Sequence, residues 1–177
     1  MDNHKQWTNS KSISNDLILV KELVFNCCNL KSTLPEPETE SAEYSAYRFE
    51  INDKKICYRE AKITPTKTGQ FVTLWKRNIS GTIEPFDFSD PIDFVIISAR
   101  KENNFGLFIF PKSVLLEKGI FSTSAKEGKR AIRVYPPWDI TTSKQAQKTQ
   151  EWQVNYFLEI FEKETIVSKA KKLFDIS

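Results

Sequence analysis

From Ser14 to Cys28 the apolar residues fall at Leu17, Val20, Val24 and Cys28, the spacing of one helix face, and Ser14 or Asn15 supplies the side-chain oxygen of an N-cap. Leu34–Ser41 is acidic, contains two prolines and reads as an exposed loop. The period then changes. Tyr44–Ile51, Lys55–Thr64 and Gln70–Arg77 are rich in β-branched and aromatic residues, separated by Asn52-Asp53-Lys54 and by Pro65–Gly69, which predicts a three-stranded meander. Ile92–Ala99 and Gly106–Phe110 are apolar almost without interruption, as central strands covered on both faces are. Pro111 opens a helix over Ser113–Lys118 and Gly119 closes it. Ala131–Tyr135 is a last strand, broken by Pro136-Pro137. Thr141–Phe161 reads as one long helix with Trp152, Tyr156 and Ile160 on a face, and Glu164–Phe174 as a terminal helix. This order predicts an α/β (α+β) fold: a mixed, largely antiparallel central sheet flanked by helices.

At 177 residues the chain is sized for a single domain over 1–177, with residues 1–13 expected to form a flexible polar tail. The 13 Phe, 5 Tyr and 4 Trp argue against disorder. The tail lacks the apolar stretch of a signal peptide, and nowhere does the chain approach a membrane-spanning run. Cys27, Cys28 and Cys57 have no metal-ligand spacing and offer only an awkward adjacent pair, so a reducing, cytoplasmic setting is expected. His4, in the polar tail, reads as a solvated side chain rather than a ligand.

The segment Tyr58-Arg59-Glu60-Ala61-Lys62 is chemically suggestive because strict alternation puts Glu60 and Lys62 on one face of a strand. A strand-borne Glu can hold a divalent metal while a nearby Lys orients the attacking water in phosphodiester hydrolysis. Such a site needs a second carboxylate. Asp93, at the mouth of a buried strand, and Glu50 are the candidates; with a hairpin turn at Asp53-Lys54, Glu50 faces away and Tyr47 and Phe49 lie across from the Glu60 face. The structural alternative is a salt bridge at a sheet edge, since Glu-x-Lys recurs by chance. Cys57, in a strand interior, reads as a small core residue.

Net charge is only +3 with a pI near 8.7, so distribution matters more than total. Cations and aromatics concentrate at Lys67, Trp75, Lys76 and Arg77 and again at Lys126, Lys129, Arg130 and Arg133. Phosphates need such cations and unpaired bases need exposed rings; the alternative is solvated charge on a sheet rim with Trp75 in the core. The five glycines are scattered singly, which excludes a P-loop.

Tyr58–Lys62 (YREAK), Thr68–Arg77 (TGQFVTLWKR), Phe108–Lys112 (FIFPK), Tyr135–Asp139 (YPPWD) and Gln150–Phe157 (QEWQVNYF) resemble, in this order, the MepB family of bacterial proteins. The resemblance implies a restriction-endonuclease-like fold, similar to the PD-(D/E)xK nucleases. In those enzymes the metal-binding Asp precedes the Glu-x-Lys pair, whereas here Asp90-Pro91-Ile92-Asp93 follows it; read from Asp93 onward, the expected Glu falls at Phe110, before Pro111-Lys112. The departure favours a nuclease-like scaffold that binds nucleic acid, single-stranded or duplex, without cutting it. The expected contacts are Lys62, Lys67, Lys76, Arg77, Lys112 and Arg130 on phosphates, Trp75 on bases, slight sequence selectivity and no cofactor. The alternatives are a Mg²⁺- or Mn²⁺-dependent nuclease using Glu60 and Lys62 with Asp93 or Glu50, and a protein interaction module working through the Pro35–Ser41 loop or the C-terminal helix.

Overall fold

The computed structural model describes Trp7 and residues 12–176. Its centre is a six-stranded sheet built from β1 (Glu36–Pro37), β2 (Tyr47–Ile51), β3 (Lys54–Glu60), β8 (Phe94–Lys101), β9 (Asn104–Pro111) and β11 (Phe157–Glu159), in that spatial order. All neighbours are antiparallel except β3 and β8. From Phe94 to Ala99 every residue of β8 is buried, as its unbroken apolar run requires. Between β3 and β8 the chain forms a second sheet of β4 (Lys62–Thr64) and β5 (Lys67–Thr73), which β10 (Ala131–Val134) joins on the other side of β5, and a separate hairpin of β6 (Trp75–Arg77) and β7 (Ile83–Pro85).

One face of the main sheet is covered by α1 (Asn15–Val20), by the wide π-helical turn that continues it over Lys21–Asn26, and by α4 (Lys163–Leu173). Ser14 caps α1 as expected, its hydroxyl accepting from the Leu17 N–H at 3.2 Å. The other face carries a second core in which Val95, Ile97, Phe108 and Phe110 meet Val72, Ile132 and Val134 of the smaller sheet and Leu115 of α2 (Lys112–Glu117). Gly119 ends α2 at φ 66°, the left-handed value that makes glycine the natural residue after a helix.

Three expected elements are corrected. The meander does not form, because the chain changes sheet at Ala61, whose N–H goes to the Ser98 carbonyl at 3.0 Å, and again at Leu74, whose N–H goes to the Arg130 carbonyl at 2.8 Å. The hairpin turn is Asn52-Asp53, both at positive φ (46° and 67°), so Tyr47 faces Tyr58 and Phe49 faces Ile56. That is two residues from the assumed register, an even slip that leaves each side chain on its expected face. The long helix stops early: α3 (Lys144–Gln153) is followed by a single 3₁₀ turn, Val154–Tyr156, and then by β11. Phe157 and Leu158 are buried on the free edge of β9, where capture by the sheet outweighs local helical periodicity. Gly106 permits this approach, since a Cβ there would sit 2.2 Å from Phe157 Cζ. In the expected polar tail His4 lies outside the described residues, but Trp7 and Ile13 are buried, and Trp7 meets Phe49 edge-on at 5.9 Å.

Candidate functional site

Glu60 and Lys62 lie on either side of the break at Ala61, and this separates them. Glu60 accepts hydrogen bonds from the Ser14 hydroxyl and, at 3.3 Å, from the Tyr58 hydroxyl, on the α1 side of the sheet. Burial, with the charge of Glu60, holds the Tyr58 phenol protonated far above its ordinary range. Lys62 places its ammonium 4.8 Å from the Tyr44 ring centre, next to Phe71. Asp93 is level with Lys55, donating its backbone N–H to the Lys55 carbonyl at 2.8 Å and accepting the Lys55 N–H on its carboxylate at 2.7 Å. Glu60 is level with Ser98, five residues further along, about 16 Å at the usual strand rise. Glu50 pairs with Lys55 at that same distant end. These carboxylates do not fit a shared metal site with Lys62, and no three His, Cys, Asp or Glu side chains converge for one among the described residues.

Most of the expected phosphate-binding cations surround the β6–β7 hairpin and are already engaged. Lys76 Nζ lies 2.8 Å from both Asp87 Oδ2 and Asp90 Oδ2 and 3.6 Å from Glu84. Burial opposes its charge, but the Asp87 and Asp90 hydrogen bonds prevail and raise the ammonium's pKa above the lysine range. Against the same burial, the bonds from Lys76 and Ser89 bring Asp87 down to about 2. Arg77 pairs with Glu40 at 2.8 Å and lies over the Trp75 ring at 5.5 Å, so Trp75 carries a guanidinium on its face. Lys112 donates to the carbonyls of Phe88 and Asp90. Arg130 bonds Glu127 at 2.7 Å and the Ile83 carbonyl at 3.4 Å.

Lys67 has a different setting. It lines a groove of about 700 Å³ between the smaller sheet and α3, together with Lys118, Lys129 and Arg133, and among the described residues no carboxylate side chain lines that groove. Lys67 and Lys129 are exposed. Arg133 is fixed by Thr64 Oγ1 at 2.7 Å and by the Thr68 and Gly69 carbonyls, which orients its guanidinium without neutralising it. Lys118 contacts its neighbour Glu117 at 3.2 Å and lies 5.7 Å from the Trp152 ring centre. Thr66, Thr68, Thr142, Ser143 and Thr149, with their hydroxyls, and the aromatic residues Tyr135 and Trp152 also line it.

Local chemistry builds this shape. Gly69, at φ 80°, lets Tyr135 close on β5, since a Cβ there would fall 2.6 Å from the ring. Ser143 caps α3 by accepting from Ala146 N–H at 3.1 Å, so the positive end of the helix dipole opens into the groove. The buried Gln153 amide occupies the free edge of β10, accepting from Tyr135 N–H and donating to the Arg133 carbonyl, and so blocks strand addition there. Sequence reasoning singled out Lys67, Lys129 and Arg133 but missed the α3 wall; Thr142-Ser143 ahead of a helix was the available signal.

Fold and groove together define a mixed α+β domain with an open cationic cleft on one side of its main sheet. The MepB-like family model matches residues 38–159, and the chain belongs to that family. It is similar to the solved crystal structure of MepB, with 34% identity and a TM-score of 0.74 over 85% of this chain and 99% of that one. No curated relative matches.

Proposed function

We propose that this protein binds nucleic acid through the groove between the smaller sheet and α3, with little sequence selectivity and no cleavage. The observation that carries this reading is a cleft lined by Lys67, Lys118, Lys129 and Arg133 and, among the described residues, by no carboxylate. Phosphate oxygens need fixed or mobile cations and hydroxyl donors, and a helix N-terminus adds to their field. Tyr135 and Trp152 offer ring surface for unpaired bases. Cleavage by a metal at Glu60 is disfavoured, because its carboxylate is used by Ser14 and Tyr58 while Asp93 stands at the other end of the strand pair. The reading requires no cofactor. We place the protein in the cytoplasm, in keeping with three free cysteines and with the absence, among the described residues, of any helix long and apolar enough to cross a membrane.

Fluorescence anisotropy of labelled single-stranded and duplex oligonucleotides at two salt concentrations, with and without Mn²⁺, tests the proposal when followed by a gel of the same samples. Salt-sensitive binding with intact oligonucleotides is expected. Cleavage that appears with metal contradicts the non-cutting scaffold, and no binding under any condition contradicts the proposal and redirects attention to a protein partner.

A further inference from the structure

Between β4 and β5 the pairing passes from Ile63 and Gln70 directly to Thr64 and Lys67, so Thr68 and Gly69 bulge out of it. On the other side of β5 the ladder with β10 ends where Val134 meets Gln70. Carbonyls of a bulge lie outside the ladder and need another donor. Arg133 supplies it: Nη1 donates to the Thr68 and Gly69 carbonyls at 3.4 and 3.3 Å, and Nη2 donates to Thr64 Oγ1 at 2.7 Å. One guanidinium thus joins the two ends of the Thr64–Gly69 turn, and Thr66, Lys67 and Thr68 of that turn line the basic groove. Pro65, Thr66, Lys67 and Thr68 are exposed, so burial does little to hold the turn, and exposed turns are among the most mobile parts of a fold. Arg133 itself is well fixed. It pairs with Phe71 in the ladder, its guanidinium lies 5.8 Å from the centre of that ring, and its carbonyl accepts from Gln153 of α3 at 2.9 Å.

On the basis of the nucleic-acid reading, we propose that Arg133 is a positioning residue: it holds the Thr64–Gly69 turn against β10 and so keeps Lys67 at the groove, ready for phosphate. With both terminal nitrogens committed to the turn, Arg133 acts on the bound strand through Lys67 and not by gripping a phosphate itself. Fixing the turn in advance spares Lys67 part of the ordering cost that binding otherwise meets. The role requires arginine, because a planar fork reaches three oxygens at once and the single ammonium of lysine does not reproduce that geometry.

The test is a double-mutant cycle read by anisotropy titration of a labelled oligonucleotide. Arg133→Lys keeps the charge and loses the fork; it is expected to weaken binding by about fivefold where Lys67 is present and by less than about 1.5-fold in a Lys67→Gln chain. The salt slope of Arg133→Lys should become shallower by up to about 0.9, although no charge has been removed, because Lys67 no longer meets its phosphate. Thr64→Val removes the acceptor of the shortest bond with little change of shape. It is expected to repeat the pattern at about threefold, and it carries the test if Arg133→Lys does not fold. Equal losses with and without Lys67, or an Arg133→Lys chain that binds like the wild type, overturn the positioning role and leave the groove reading standing. A wild-type chain that binds no oligonucleotide removes both.

Discussion

The groove beside α3 and the β6–β7 hairpin hold comparable sets of cations: Lys67, Lys118, Lys129 and Arg133 in one, and Lys76, Arg77, Lys112 and Arg130 in or against the other. Around the hairpin Arg77 and Arg130 each pair with a carboxylate, Lys112 donates to two backbone carbonyls, and Lys76 alone meets Glu84, Asp87 and Asp90. In the groove no carboxylate among the described residues lines the walls, Arg133 is oriented by neutral oxygens, Lys67 and Lys129 are exposed, and of the four cations Lys118 is the one in contact with a carboxylate, its exposed neighbour Glu117. Phosphate gains little from a cation whose charge is already neutralised, because binding must first break the internal pair. Availability of charge, more than its density, separates the two surfaces.

Charge reversal breaks the comparison most sharply. The Lys67→Glu, Lys129→Glu pair should weaken oligonucleotide binding at low salt by about a hundredfold, whereas Arg77→Glu with Arg130→Glu should change it by less than about threefold; anisotropy titration reads both. Next comes Lys76→Met, which leaves Asp87 and Asp90 facing each other without their ammonium. It should cost about 1–2 kcal/mol, with a melting temperature lower by roughly 5 °C in calorimetry, and leave affinity unchanged.

A smaller effect follows from acid. Asp87 falls from its ordinary 3.8 to about 2 on folding, so its contribution is full above pH ~4 and is lost as pH drops through ~2. Urea midpoints should therefore fall on acidification through that window, and fall less in Asp87→Asn. Smallest is Glu60→Gln. The amide can still accept from Ser14 and Tyr58, so stability should change by under about 1 kcal/mol and affinity not at all; a clear loss of binding would assign Glu60 a role the groove does not give it.

Elements governed by local chemistry were legible in the sequence. Ser14 capped the first helix, Gly119 ended the short one, and the unbroken run at Ile92–Ala99 marked a strand buried on both faces. The sheet changes at Ala61 and Leu74 were not, because each depends on a backbone bond to a distant partner, Ser98 and Arg130. Phe157–Glu159 continued a helical pattern and became a strand only because β9 had a free edge. The same limit applies to the site. Lys67, Lys129 and Arg133 were visible as cations, but the pairing that occupies Arg77 comes from Glu40, 37 residues earlier, and Lys76 is occupied through a hairpin whose register a sequence does not show.

The salt dependence of oligonucleotide affinity tests the groove most directly, because its slope counts displaced counterions and is insensitive to uncharged contacts. The slope of log K against log salt should become shallower by roughly 2 when Lys67 and Lys129 are both replaced by glutamine, about 0.9 per phosphate contact, and stay unchanged when Lys76 and Arg77 are. A slope unmoved by the groove pair, or reduced by the hairpin pair instead, would contradict the assignment.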